Sequence, residues 1–479
     1  MSESTLPEFS TAKERGLLPP PLALTLVVAW SSDEPRRLGE VCLLPLGEPG
    51  PWRVFGRGEP QASDPHARLE FMRLRPGGSS TTGFSENVRI SRVQMLLRAS
   101  GGQSIEVNNV GQAELWVNGR PMQSGHIEPG DLVQLGKQML FLCCKRPAWE
   151  EVLPEYPEFA FGEADLGGFI GESAAAWAAR RQTAAAARDF GHVLITGASG
   201  TGKELVARSI HALSERAARP LVSRNAATFP EGLVDAELFG NAKNYPNSGM
   251  ADRPGLIGEA HQSTLFLDEI GELPASMQSH LLRVLDSGEY QRLGDSGTRR
   301  ADIRVIAATN RDFSHLKQDF LARFRIRLHL TDLNARREDV PLIARYLWGE
   351  SRRNLNESLT DGDANNARTN VPLELTSQLL KRRYVANVRE LDRLLREAIL
   401  GVSSDELDSN PRSASDPPVS SPSAPAVRVD PTSITPEQIR EALAQHHGRQ
   451  ERVWRALGLS SRYALWRLMK KHNIESWPK

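Results

Sequence analysis

Short runs in which apolar and polar residues alternate fill the first third of the chain. They read LTLVVAW, EVCLLPL, PWRVFG, ARLEFMRL, VQMLLRAS, SIEVNN, AELWVNG, DLVQLG and QMLFLCC, between Leu22 and residue 146. Gly, Pro, Asn or Ser punctuates them at short intervals. A period of two broken by turn residues predicts an antiparallel β-sandwich over 22–146. From 165 to 402 the pattern changes to continuous apolar runs (HVLIT, TLFLDE, IRVIAATN) separated by helical stretches, as in an α/β region with a parallel sheet. Residues 403–433 are rich in Ser, Pro and Asp with few aliphatics, the composition of a disordered linker. From Ile434 onward the apolar positions Ile439, Leu443, Val453, Leu457, Leu459, Leu465 and Leu468 fit the buried stripe of three short helices, with a tight turn at Gly458–Ser460. The expected fold class is therefore multidomain: sandwich, α/β, helical tail.

Composition narrows the functions open to this chain. At 479 residues it has room for roughly three domains. The 59 basic and 59 acidic side chains cancel, which argues against a chain that coats nucleic acid or membrane along its whole length. The basic excess is local: from Ile434 on, nine Lys and Arg face four Glu, a net of +5. Cys42, Cys143 and Cys144 cannot build a disulfide framework and show no metal-ligand spacing, so the expected location is the reducing cytoplasm. The apolar run Leu22–Trp30 is far shorter than the ~18 residues of a membrane span. The segment MSESTLPEF lacks a basic-then-apolar targeting pattern, so no membrane partner is expected.

The chemistry concentrates in HVLITGASGTGKELVARSIH. The run Val193–Thr196 leads into Gly197, Ala198, Ser199, Gly200, Thr201, Gly202 and Lys203, and then into an amphipathic helix. Glycines let such a loop curl until its N–H groups converge on phosphate oxygens. The helix N-terminus adds favourable partial charge, and the lysine reaches the β- and γ-phosphates. Glu204 stands where the general motif has Ser or Thr. About 60 residues on, TLFLDEIGELP ends an apolar run in Asp268 and Glu269. Two carboxylates at the C-terminal edge of a parallel strand suit Mg²⁺ binding by Asp268 and activation of the attacking water by Glu269. A third run, IRVIAATN, ends in Asn310, a polar group placed to sense the γ-phosphate. The predicted chemistry is ATP hydrolysis with Mg²⁺.

On these residues, 165–402 resembles the AAA+ domain of the bacterial enhancer-binding proteins, the sigma-54 activators. GASGTGKE is near the family's GESGTGKE, and RPGLIGEAHQSTLFLDEIGELP and IRVIAATNRD match almost continuously. The resemblance implies a helical lid and a homo-oligomeric ring with ATP held between neighbouring subunits. It implies that Asn225 is the switch asparagine restraining the catalytic glutamate. It also makes NVREL (Asn387–Leu391) the sensor II motif, with Arg389 a γ-phosphate ligand. Two departures stand out. Where the family carries its GAFTGA loop this chain reads NYPNSG (Asn244–Gly249), with Pro246 stiffening the turn. FLARFRIRL matches the family's FREDLYYRL at Phe320, Arg327 and Leu328, but Leu321 replaces the first finger arginine, leaving Arg323, Arg325 and Arg327 as candidates.

The tail resembles the Fis-type helix-turn-helix that closes many enhancer-binding proteins. Its last helix carries Arg462, Tyr463, Arg467, Lys470 and Lys471, side chains suited to phosphate clamping and groove contact. A two-fold pair of tails on a pseudo-palindromic DNA site is the implied partner. In the sandwich, FGRGEP, ISRVQ, VNGRP and EPGDLVQLG resemble the forkhead-associated (FHA) phosphothreonine-binding domain, with Arg57, Ser91, Arg92 and Asn118 at the matching positions. A doubly charged phosphate suits arginines and a serine, and an asparagine can grip peptide backbone. The family's SxxH ends here in Gln94.

Three readings remain open at this point. One is an ATP-dependent, DNA-binding transcription regulator that senses a phosphothreonine protein or Ser/Thr kinase, without direct sigma-54 contact. Another is an activator that remodels sigma-54 RNA polymerase holoenzyme through the divergent loop. The last is an AAA+ remodelling or signalling protein that does not read DNA.

Overall fold

Leu22–Ser31 (β1) pairs on one side with Val41–Leu43 (β2) and on the other with the last strand before residue 150, so the first apolar run becomes the centre of a sheet. The computed structural model describes residues 20–45, 49–150, 153, 156–230, 232–311, 316–354 and 370–401, together with Pro436 and Met469. Apart from Pro436 and Met469, the linker and helix-turn-helix expected over 403–479, Arg462, Tyr463, Arg467, Lys470 and Lys471 among them, lie outside the described residues. Among the described residues no helix is long and apolar enough to cross a membrane.

After β2 come Arg53–Phe55 (β3), Phe71–Arg75 (β4), Gly78–Gly83 (β5), Met95–Ser100 (β6), Ser104–Asn109 (β7), Leu115–Val117 (β8), Arg120–Pro121 (β9), Ser124–Ile127 (β10), Leu132–Leu135 (β11) and Met139–Pro147 (β12). They form an eight-stranded sheet, β5-β4-β2-β1-β12-β11-β8-β9, and a four-stranded sheet, β10-β7-β6-β3. Every register within them is antiparallel, and the two sheets share one core. Burial alternates along β6 and β7, as the sequence period requires. Phe55 from the smaller sheet meets Phe71 and Phe141 of the larger edge to face, at 5.9 and 5.3 Å between centroids. This region is the sandwich expected from the pattern. The three thiols are free.

The next region alternates helices and strands: Ala174–Arg188 (α1), Val193–Thr196 (β13), Lys203–Ala212 (α2), Val222–Asn225 (β14), Val234–Phe239 (α3), Gly255–Glu259 (α4), Thr264–Asp268 (β15), Ala275–Ser287 (α5), Glu289–Tyr290 (β16), Arg299–Arg300 (β17), Arg304–Thr309 (β18), Gln318–Leu321 (α6) and Ile326–His329 (β19). Five strands make an all-parallel sheet, β14-β15-β18-β13-β19. Helices cover both faces. One core holds Val193, Ile195, Phe266 and Ile306 against α1 and α2, and the other holds Leu194, Leu265, Leu267 and Val305 against α3, α4 and α5. That double burial explains why these strands read as continuous apolar runs. Val340–Asn354 (α7), Leu373–Lys381 (α8) and Asn387–Ile399 (α9) follow as a helical cap. Its core also contains Ala29, Leu38, Leu132, Leu140 and Leu142, so the outer face of the sandwich's larger sheet packs directly on the cap. The Trp30 indole N–H donates to the Val371 carbonyl at 2.9 Å across this contact.

His192 enters the parallel sheet with both ring nitrogens engaged. Nδ1 lies 3.0 Å from the Val305 amide, which donates to it, and Nε2 lies 3.1 Å from the Leu285 carbonyl. Burial pushes its pKa below the ordinary value. The unfolded ring takes up a proton near pH ~6.5, while the folded ring resists it, so stability is lost as the pH falls below that value. The denaturation midpoint is expected to drop on acidification from pH ~8 to ~5.5, more steeply in the wild type than in His192→Asn. Parallel profiles for the two proteins would refute this assignment.

Candidate nucleotide site

Gly197, Gly200 and Gly202 all lie in the left-handed half of backbone space, with φ of 151°, 78° and 103°. A Cβ at Gly200 would come 2.2 Å from the Ala386 carbonyl oxygen, so only glycine fits beneath the chain entering α9. The loop they form ends on Lys203 at the start of α2, whose ammonium donates to the Gly197 and Ala198 carbonyls at 2.9 and 3.2 Å. Lys203 is 6% exposed. Burial lowers its pKa, and Glu269 and Asp268 pull it back up. Glu204, the odd residue of the motif, faces solvent and pairs with Arg208 at 2.5 Å. The Thr201 hydroxyl donates to the Ala198 carbonyl at 2.9 Å and braces the loop.

The cap grips this loop. Asn387, with φ 52°, donates its amide to the Ser199 carbonyl (3.0 Å) and accepts from the Leu333 N–H (2.8 Å). The Val388 N–H donates to the Gly200 carbonyl (3.1 Å), and Arg389 donates to the Ser199 hydroxyl (2.7 Å). Arg389 thus reaches the glycine loop. The bridging role of Asn387 was not read from the sequence. An asparagine opening the NVREL segment was the available signal.

Asp268 closes β15, and Glu269 follows in the left-handed region at φ 52°. The Glu269 N–H donates to Asp268 Oδ1 at 3.0 Å, and Glu269 Oε2 accepts from the Asn310 N–H at 3.4 Å. The two acids and Asn310 are therefore neighbours, as their strand-end positions imply. Asn225 ends β14 in register with Asp268, and its side-chain oxygen accepts from the Ala227 N–H at 2.9 Å. Loop, acids and cap surround a cavity of about 490 Å³ whose lining includes Gly200–Leu205, Asp268, Glu269, Val388 and Arg389. Its apolar wall comes from Phe169, Ile170, Ile343, Tyr346 and Leu347, none of which sequence reasoning singled out. Curled glycines, a buried ammonium, two carboxylates and an apolar wall fit a nucleoside triphosphate. Asp268 fits the Mg²⁺ that travels with it. Among the described residues no cluster of three or more His, Cys, Asp or Glu forms a separate metal site.

Arg327 lies outside this lining, exposed on β19, with one nitrogen donating to the Leu321 carbonyl at 3.0 Å. Leu321 itself is buried in the sheet's core, and Arg323 pairs with Asp286 at 2.6 Å. The Asn244–Gly249 loop is exposed and is bonded within itself and at its base. Asn241 donates to the carbonyls of Ala242 and Ala251 (3.1 and 3.0 Å), and the Gly249 N–H donates to Asn244 (2.9 Å). Arg292 holds Asp252 at 2.8 Å.

In the sandwich, the Gly56–Arg57 turn packs on Ser91–Arg92. A Cβ at Gly56 would come 1.9 Å from the Arg92 carbonyl oxygen, and the Arg57 N–H donates to the Ser91 carbonyl at 3.1 Å. Arg57 Nε is buried without a hydrogen-bond partner. Gln94, fully buried, accepts from the Ser91 N–H (3.1 Å) and donates to Asn109 and the Ala113 carbonyl (2.8 Å each). It braces the serine loop from inside. Asn118 sits at a separate turn with φ 54°, donating to Asp131 (2.7 Å) and accepting from the Leu132 N–H (3.0 Å). These two bonds use one amide hydrogen and one lone pair of the Asn118 side chain.

Comparison with known proteins bears on this geometry. Residues 169–334 match the family described as the Sigma-54 interaction domain. The chain is 36% identical over 245 residues to the formate hydrogenlyase transcriptional activator FhlA of Escherichia coli (strain K12), covering 50% of this chain and 34% of that protein. It is 35% identical over 288 residues to the Nif-specific regulatory protein of Azotobacter vinelandii, covering 58% of this chain and 53% of that protein. The match therefore spans between a third and about half of those relatives' lengths. A crystal structure of NtrX from Brucella abortus in complex with ADP aligns at TM-score 0.44 and 25% identity, over 64% of this chain and 70% of that one.

Proposed function

We propose that this chain is an ATP-dependent, DNA-binding transcription regulator. An FHA-like sandwich over 22–146 receives a phosphothreonine signal, an AAA+ module over 165–402 responds to ATP, and a linker (403–433) leads to a Fis-type DNA-binding tail (434–479). The observation that carries the reading is the convergence of Lys203, Asp268, Glu269 and Arg389 on one cavity. The match of residues 169–334 and the regulatory names of the relatives support it.

In this reading the Gly197–Glu204 loop cradles the phosphates, and Lys203 and Arg389 offset their charge. Glu269, anchored by the Asn310 N–H, orients and deprotonates the attacking water. Bound with ATP on Asp268, Mg²⁺ supplies charge neutralisation on the phosphate oxygens. Asn225 stands beside the acids as the restraining switch. Arg327, outside the lining of its own subunit's cavity, would act on a neighbour's nucleotide in a homo-oligomeric ring. An arginine supplied in this way contributes about 10³-fold or more in rate.

A second reading, remodelling of sigma-54 polymerase through Asn244–Gly249, is favoured by the family match, which spans that loop. The test uses promoters recovered by chromatin immunoprecipitation of the chain. Regulation that survives deletion of sigma-54 and Glu269→Ala, but not Lys203→Ala, supports the first reading. Loss in both sigma-54 deletion and Glu269→Ala moves the assignment to the second. Recovery of DNA with no preferred site would leave an AAA+ remodelling or signalling protein.

For the sandwich, removing Arg57 takes away a charge-assisted bond to phosphate, typically about 1.5–3 kcal/mol. Arg57→Ala is expected to weaken binding to a phosphothreonine peptide library about 10- to 100-fold, with the unphosphorylated library unaffected. Equal binding of both libraries by the wild type would remove the phosphate-sensing part of the proposal.

A further inference from the structure

Arg146 ends the sandwich's central pair of strands and is buried. Its guanidinium reaches out of the sandwich, donating to the Glu172 carbonyl at 3.0 Å and lying 3.4 Å from the Glu338 carboxylate. Glu338 also accepts from the Cys144 thiol (3.4 Å), and burial pushes its carboxyl up while Arg146 pulls it back. The next residue, Asp339, accepts from the N–H groups of Glu172 and Ser173 (2.8 and 2.9 Å) and from the Ser173 hydroxyl (2.6 Å). Its other charged neighbour is Arg336, 3.6 Å away. Arg336 lines the nucleotide cavity: it lies 4.7 Å over the Phe169 ring and donates to the carbonyls of Ile170 and Thr201, both at 3.4 Å.

A cation of the sandwich, the partly buried Glu338, the buried Asp339 and a cation of the cavity wall thus form one row that ends on the phosphate loop. The cavity lining contains no sandwich residue, so any influence of the sandwich must pass through such contacts. Arg336 holds the wall and the phosphate loop by bonds at the long end of the useful range, so a modest pull is enough to shift it. With Arg146 gone, the acid pair keeps Arg336 as its neighbouring cation, and the guanidinium is drawn away from Thr201 and Phe169.

We propose that Arg146 is a positioning residue for the nucleotide cavity, balancing Glu338 and Asp339 so that Arg336 stays on the cavity wall and the phosphate loop. The role rests on reading the cavity as an ATP site. It makes docking of the sandwich a condition for full nucleotide affinity, and by linkage nucleotide strengthens the docking.

The experiment titrates Mg·ATP into the full chain by calorimetry and follows turnover in parallel. Arg146→Met is expected to raise the Kd about 5- to 50-fold with kcat changed less than about twofold. Arg98→Ala, which pairs with Glu106 within the smaller sheet and away from Arg146, serves as the neutral control. The double variant Arg146→Met/Glu338→Gln removes the unbalanced charge next to Asp339, while Glu150, the other carboxylate Arg146 reaches (3.5 Å), keeps Arg181 at 3.7 Å; the Kd is expected to return to within about threefold of wild type. It also serves if Arg146→Met alone does not fold. An unchanged Kd in folded Arg146→Met, or a raised Kd that the double variant fails to relieve, overturns the proposal. A wild type that binds ATP no better than Lys203→Ala overturns the ATP-site reading beneath it, which is a separate failure.

Discussion

Glu269→Gln is expected to bind ATP as tightly as the wild type, or more tightly, and to turn it over about 10²- to 10⁴-fold more slowly. Glutamine keeps the shape of the side chain and an oxygen to accept from the Asn310 N–H, at 3.4 Å in the wild type. What it loses is the ability to take a proton from water. The backbone strain at φ 52° and the bond from the Glu269 N–H to Asp268 are indifferent to the change, so the site's geometry survives. Removing one negative charge near the phosphates favours ATP binding rather than opposing it. Steady-state turnover and equilibrium binding on one preparation check both halves. Turnover at more than about a tenth of the wild-type rate would show that another group activates the water.

Asp339→Ala is expected to be the most damaging single change to stability, at about 3–5 kcal/mol. The carboxylate is 1% exposed and accepts three hydrogen bonds, from Glu172, Ser173 and the Ser173 hydroxyl, where α1 begins. Truncation leaves those donors without their acceptor and takes from the buried Arg336 the carboxylate that lies 3.6 Å away. Asp339→Asn keeps an acceptor for the two amides but presents an N–H₂ group toward Arg336, so about half the loss is expected to remain. Hydrogen exchange at the Glu172 and Ser173 amides reports the local effect, and the denaturant midpoint the global one. Protection at those amides unchanged in the alanine variant would show that Asp339 does not anchor α1.

The parts of the site that the sequence disclosed are those a single segment builds. The phosphate loop needs only Val193–Thr196, its glycines and Lys203. The acids and Asn310 announce themselves as polar residues at the ends of apolar strands, because a parallel sheet presents its strand ends along one edge. Sandwich strands were legible where one face is buried. Gly78–Gly83, Arg120–Pro121 and Ser124–Ile127 were not, since edge strands with polar or small residues carry little of the period-two signal. The charged residues in and behind the cavity wall were hidden for another reason. Arg336, Asp339 and Arg180 look like surface charges in sequence, and each is buried by partners distant along the chain. Asp339 meets Ser173 across 166 residues, and Arg180 binds Asp165 together with the carbonyls of Gly171 and Phe169. Gln94 is a further case: the departure from the family's histidine was visible, and its buried bracing of Ser91 was not.

Every function considered for this chain requires ATP in the cavity between the phosphate loop and the cap. Calorimetric titration of Mg·ATP into the full chain and into Lys203→Ala tests that most directly. One saturable site per chain is expected, weakened at least about tenfold when the buried ammonium and its charge-assisted bonds to phosphate are removed. Identical heats for the two proteins, or no saturable binding by the wild type, would contradict it.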